Sequence, residues 1–288
     1  MLLVLGGAPE HEGRRGGVRS YTPPPMTDPA ELPRFDGRVV LVTGGCRGIG
    51  RGIAQRFADA GAHVAICCRH EPDDLPDGWL FVAADIREAE QVDAVIAATV
   101  DRFGAIDVLV NNAGGSPPAD TATASPRFTA GITALNLTAA LVCAQKANAV
   151  MQTQEHGGSI VNIASVSGVR PSPNTVAYGA AKAGLLNATQ TLAVELAPKV
   201  RVNAVVVGLV VTEQAHLFYG DEEGIKAVGD TVPIGRMAEP ADVADVCLFL
   251  ASPLARYVSG AQVLVHGGGE KPSYMGAANP GADPEARR

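Results

Sequence analysis

The chain has 288 residues, 47% of them hydrophobic and 18% charged, enough apolar material for a large packed core and too much for general disorder. Its net charge of −7, with arginines scattered rather than clustered, excludes an electrostatic footprint for nucleic acid. No apolar run approaches the ~18 residues of a membrane helix, and the short Leu2–Leu5 run followed by Glu10 and Glu12 is no signal-peptide core.

Residues 1–34 are rich in Gly and Pro and lack a hydrophobic period, so they are expected to be a disordered extension, with Met26 as the expected translation start. Residues 271–288 have the same character and are expected to be a disordered tail. Between them, nearly all-apolar runs at 39–43, 64–68, 80–83, 108–111, 160–163, 202–206 and 262–265 predict strands buried on both faces. Helical patterns at 49–60, 88–103, 129–151, 177–196 and 240–250 separate them. The segment 70–78 is too short for a helix and carries Pro72 and Pro76, so a loop is expected there. Alternation at this spacing predicts an α/β fold: one domain over 35–270, a Rossmann-like, doubly wound parallel sheet of about seven strands flanked by helices.

The five cysteines, Cys46, Cys67, Cys68, Cys143 and Cys247, form no CxxC pair and are accompanied by no His cluster at metal spacing. They are read as inert thiols in a reducing cytoplasm, with neither a structural disulfide nor a metal.

The first strand runs into Gly44-Gly45-Cys46-Arg47-Gly48-Ile49-Gly50 and then a helix. Glycines let backbone N–H groups approach a pyrophosphate, and the positive helix end favours its charge. The second strand ends at Cys68-Arg69, where an NAD site would carry an acid for the ribose 2′-hydroxyl. With Arg47, Arg69 makes a pair of guanidinium forks suited to the 2′-phosphate of NADP(H). Glu71 and Asp74 stand close by in sequence and offer carboxylates to the ribose instead. Further on, Tyr178 and Lys182 at i and i+4 share one helix face. A phenol near a lysine can supply the proton that a ketone oxygen needs after hydride transfer.

Thr43-Gly44-x3-Gly48-Ile49-Gly50, Asn111-Asn112-Ala113-Gly114, Ser165, Tyr178-x3-Lys182, Val207-Gly208 and Ile234–Pro240 together resemble the short-chain dehydrogenase/reductase family over residues 35–270. NADPH-dependent 3-oxoacyl-carrier-protein reductases are the members it looks most like. The resemblance implies a catalytic tetrad of Asn136, Ser165, Tyr178 and Lys182, with Asn136 anchoring a proton-relay water and Ser165 holding the substrate oxygen. It implies cofactor contacts from Gly44, Cys46, Arg47, Gly48, Ile49, Gly50 and Arg69, from Asp85 and Ile86 at the adenine, and from Asn112, Ala113 and Gly114. Tyr178, Lys182, Val210 and Thr212 complete that set. Ser167 is a neighbouring hydroxyl, but Ser165 has the family's separation from Tyr178.

Three departures stand out: Val207 in place of proline, expected to loosen a turn, Ala164 in place of a serine, and His266 in place of an acid. Residues 212–232 are expected to form a substrate lid, with Leu217, Phe218 and Tyr219 either lining an apolar pocket or packing a helix. A homotetramer is implied, with Ala139, Ala140, Ala144, Ala147, Ala180, Ala181 and Ala188 allowing close helix approach. The expected activity is NADP(H)-dependent interconversion of a ketone and a secondary alcohol, on a 3-oxoacyl thioester or a hydrophobic cyclic ketone. The alternative is a catalytically silent NADP(H)-binding regulatory or scaffolding protein of the same fold.

Overall fold

The computed structural model describes residues 33–270 and 272–273; the expectations for the two terminal segments and for Met26 lie outside these residues. Seven strands form one parallel sheet in the order β3-β2-β1-β4-β5-β6-β7. They are β1 Val39–Thr43, β2 His63–Cys68, β3 Leu80–Ala83, β4 Val108–Asn111, β5 Gly158–Ser165, β6 Val200–Val207 and β7 Gln262–Val265. Strand β1 is buried at every position because both of its faces are covered. Val40 and Val42 pack under helices α1 (Gly48–Asp59) and α8 (Pro240–Ala251). Leu41 points the other way, under α2 (Ala89–Phe103) and α4 (Ala139–Met151). The chain reverses direction across the sheet between β1 and β4, and the carboxyl ends of those strands therefore open a crevice.

The remaining helices are α3 (Pro126–Thr133), α5 (Val176–Glu195), α6 (His216–Tyr219) and α7 (Glu222–Thr231). As expected, β2 reaches β3 through a loop without a helix. The expected helix over 129–151 starts earlier and is interrupted: a π turn at Ala134–Thr138 links α3 to α4. Ser125 caps the start, its hydroxyl accepting from the Phe128 N–H. This continuous stretch, Pro126–Met151, does meet the length and apolarity of a membrane span, contrary to the expectation from the sequence. Its apolar face is committed to the sheet, with Ala139, Cys143, Ala144, Ala147 and Met151 buried in the core.

That burial also corrects the expected interface: Ala139, Ala140, Ala144 and Ala147, and Ala181 on α5, are buried within the protein itself and are not available to a second copy. Val207 does not loosen a turn. It is the last paired residue of β6, opposite Ser165 and Val265, and the Gly208 N–H continues the ladder to the Val265 carbonyl at 2.9 Å.

A second correction concerns the thiols, because Cys46 and Cys68 form a disulfide with Cα atoms 6.4 Å apart. The two are 22 residues apart in sequence, and no spacing rule brings them together. Parallel pairing does: Thr43 lies opposite Cys67, and the Gly44 N–H donates to the Cys67 carbonyl at 2.8 Å. The loop after β1 therefore passes beside the end of β2. The other three cysteines are free and buried, as expected.

Candidate active site

The glycine loop packs too closely for side chains. A Cβ on Gly44, which has φ +65°, would lie 2.9 Å from the Ala113 Cα, so only glycine lets this turn meet the loop after β4. Thr43 locks the two together: its hydroxyl accepts from the Asn112 N–H at 3.0 Å and from the Ala113 N–H at 3.1 Å. The Asn112 side-chain amide donates to the carbonyls of Thr43 and Gly44. Helix α1 then begins at Gly48 after Arg47, with no side-chain cap and no acidic residue in its first turn. Its unpaired N–H groups are those an anion would satisfy.

Arg47 and Arg69 are both exposed on this edge. The charge of Arg69 contributes, after the dominant hydrogen bond from Arg87, to holding the Asp85 carboxyl below its usual range. Asp85 is thus committed to Arg87, and Ile86 is buried under α2. Asp74 is taken too: Arg51 donates to its carbonyl at 2.8 Å and to its carboxylate at 3.1 Å. Glu71 is exposed. On the far side of the loop, a Cβ on Gly48 would come within 3.5 Å of the Thr212 side chain. Val210 pairs with Ala238 in a single parallel bridge whose bonds use the Leu209 carbonyl and the Val211 N–H, leaving Val210's own amide out of the ladder.

Three tetrad residues converge at the carboxyl end of β5. Ser165 is its last residue; burial pushes the pKa of the Tyr178 phenol up, and the neighbouring Ser165 hydroxyl opposes that to a lesser degree. Ser167 instead donates its hydroxyl to Ser172 and its N–H to Ser165. Lys182, one turn beyond Tyr178 on α5, is 3% exposed and donates its ammonium to the Ile163 carbonyl at 2.7 Å. Its Nζ lies 5.7 Å from the centre of the Tyr178 ring. Burial depresses its pKa to about 8.

Asn136, the fourth, sits in the π turn and is buried. The extra residue of such a turn lets a side chain be aimed out of helical register. Asn136 donates its amide to the Gly115 and Ile132 carbonyls, both at 2.9 Å, and accepts from the Gly115 N–H at 2.8 Å. Both amide protons are thereby used, so of the side chain a relay water can meet the remaining lone pair of Oδ1. A Cβ on Gly114 would stand 2.6 Å from that oxygen and 3.3 Å from the Lys182 Nζ, which shows how the Asn112–Gly114 loop joins Asn136 to helix α5.

Beside Val166 opens a cavity of about 270 Å3, lined by Val169, Arg170, Leu209, Val232, His266 and Glu270 among others. Arg170 and Glu270 are ion-paired at its edge. Leu217 and Phe218 are exposed rather than lining it, and Tyr219 is partly buried near Glu270. Sequence reasoning did not single out Thr43 as a strut, the Ile163 carbonyl as the lysine's partner, or Arg170 and Glu270. Thr43 alone carried a signal, as the residue heading the glycine motif. No group of side chains suited to a metal occurs among the described residues.

Against known proteins, a family model described as Enoyl-(Acyl carrier protein) reductase matches residues 44–270. The 3-oxoacyl-acyl-carrier-protein reductase MabA of Mycobacterium bovis is 38% identical over 237 residues, covering 82% of this chain and 94% of that protein. The 7alpha-hydroxysteroid dehydrogenase of Bacteroides fragilis is 35% identical, covering 82% and 95% respectively. Among solved structures, the ligand-free aldohexose dehydrogenase of Thermoplasma acidophilum superposes with a TM-score of 0.77 at 31% identity, covering 86% of this chain and 98% of that one.

Proposed function

Since this chain belongs to the short-chain dehydrogenase/reductase family and is an oxidoreductase of the CH–OH/C=O couple, we propose that it interconverts a ketone and a secondary alcohol with NADP(H). The observation that carries the cofactor choice is the pair of exposed guanidiniums, Arg47 and Arg69, flanking a strand end that holds Cys68 where an acid would select NAD. The rival carboxylate of Asp74 is occupied by Arg51. The loop fits such a group in another respect: the uncapped α1 N-terminus suits the pyrophosphate. Gly44, Cys46, Gly48, Ile49, Gly50, Asn112 and Ala113 form the rest of the cradle, with Asp85 and Ile86 towards the adenine and Val210 and Thr212 at the other end.

When bound, NADP(H) supplies or receives the hydride. Tyr178 gives a proton to the oxygen of the reduced carbonyl, and takes it from the alcohol in the reverse direction. Ser165, whose hydroxyl neighbours that of Tyr178, orients the substrate oxygen beside it. The Lys182 ammonium, held by Ile163, favours the phenolate that Tyr178 becomes. Asn136 acts as a positioning residue by holding the Gly115 backbone. The cavity beside Val166 receives the substrate chain, a 3-oxoacyl thioester or a hydrophobic cyclic ketone.

Fluorescence titration with NADPH and NADH, on reduced protein, tests this reading. At least tenfold tighter NADPH binding that collapses in an Arg47→Ala/Arg69→Ala double variant is expected; equal or tighter NADH binding overturns it. We propose further that the enzyme is a homotetramer using the outward face of α5, where Val176, Ala180, Ala183, Asn187 and Val194 are exposed. A monomer mass by light scattering overturns that assembly.

A further inference from the structure

Cys46 and Cys68 are not two arbitrary surface cysteines. Cys46 belongs to the glycine loop and immediately precedes Arg47; Cys68 ends β2 and immediately precedes Arg69. The disulfide between them therefore joins the two walls from which both guanidiniums project. On the reading of the function given above, on which this inference rests, that gap is where the adenosine ribose and its 2′-phosphate enter. We propose that Cys46 and Cys68 are a redox-modifiable pair that controls the cofactor subsite: the disulfide closes it to NADP(H), and reduction to two thiols opens it.

Two features of the chain make the pair suitable. The backbone of Cys68 is fixed, since Cys68 lies opposite Ala83 in the sheet and its carbonyl accepts from the Ala84 N–H. Cys46 sits on a turn outside the strand, so breaking the bond frees the loop rather than the sheet. Both cysteines are partly exposed, so a thiol reagent can reach them. The remaining three are not comparable targets. Cys67, Cys143 and Cys247 are buried, and desolvation pushes the thiols of Cys67 and Cys143 up to about 12 and that of Cys247 up as well, so the reactive thiolate is suppressed.

The chemistry is ordinary thiol–disulfide exchange. Two molecules of a small thiol such as glutathione, or one dithiol, supply two electrons and two protons. The Cys46–Cys68 S–S bond breaks, two S–H bonds form, and the reductant leaves as its own disulfide. A protein in a reducing compartment is held open and closes under thiol oxidation.

The test uses the full chain in two forms, treated with oxidised glutathione or with dithiothreitol, each then freed of reagent and titrated with NADPH and NADH. Alkylation in denaturant followed by intact mass reports the thiol count independently of any activity. Three alkylated cysteines in the oxidised form and five in the reduced form are expected. NADPH should bind the reduced form at least tenfold more tightly. Cys46→Ser and Cys68→Ser variants, whatever their absolute affinity, should lose all response to the oxidant; should either fail to fold, the comparison of the two wild-type forms decides alone. Equal NADPH affinity in both forms, or five alkylated thiols after oxidation, overturns the switch while leaving the cofactor assignment standing. NADH preferred in the reduced form, or neither cofactor bound by it, overturns both.

Discussion

Replacing Lys182 with methionine keeps most of the side-chain volume and removes an ammonium that is 3% exposed. In the wild type, burial lowers the pKa of this group from 10.5 to about 8. At about 1.4 kcal/mol per pH step, the gap corresponds to roughly 3 kcal/mol by which the charged form destabilises the folded state at pH 7. The sign follows from proton binding. Between about 8 and 10.5 the unfolded chain keeps the proton and the folded chain has released it, so wild-type stability rises with pH across that window. The methionine variant has no such group. Its own cost is the unpaired Ile163 carbonyl, about 1–3 kcal/mol and independent of pH. At pH 7 the two effects nearly offset, and the net change in stability is small. Chemical denaturation of both proteins from pH 7 to pH 10.5 follows the titration, because groups remote from Lys182 cancel in the difference. The wild type should gain about 3 kcal/mol on the variant, starting near pH 8. A difference that stays flat, or that moves against the wild type, refutes the assignment of a desolvated lysine beside Tyr178.

Tyr178→Phe should bind NADPH normally and lose turnover by a factor of about 10² to 10⁴, measured with any ketone the wild type reduces; retention within tenfold would remove Tyr178 from the proton path. Ser165→Ala removes the hydroxyl that opposes the burial-driven rise of the phenol's pKa, so the rise of alcohol oxidation with pH should move to higher pH, and an unchanged profile counts against that role. Asn136→Ala orphans the N–H and C=O of Gly115 and should destabilise the protein by about 2–3 kcal/mol; an unaltered melting temperature would contradict the positioning role.

Most of the frame is legible in local sequence. Strand β1 is read at its observed bounds because four apolar residues in a row, closed by the β-branched Thr43, have only one use in a chain that alternates with helices. The glycines after it announce a close approach, and the turn does touch Ala113. The short, proline-bearing stretch before β3 rules out a helix there, and there is none. Tyr178 and Lys182 come together through helical periodicity alone.

Long-range contacts are less visible. Ala139, Ala144 and Ala147 look like an interface stripe, yet small residues serve equally where a helix settles on a sheet, and here the sheet took them. The apolarity of Pro126–Met151 has the same origin, since the helix is read by composition and its layer by packing. The π turn at Asn136 leaves no trace in a period-3.6 pattern, being a local response to what its side chain must reach.

The amino-acid sequence by itself determined which segments are strands and helices, and which residue types stand at the glycine loop and on helix α5. These follow from periodicities a few residues long. Only the tertiary structure decided that Asp74 is spent on Arg51 and that Cys46 reaches Cys68. The first needs helix α1 docked beside the loop after β2, and the second needs β1 and β2 paired in parallel, arrangements that exist only once hydrophobic burial has brought these segments together.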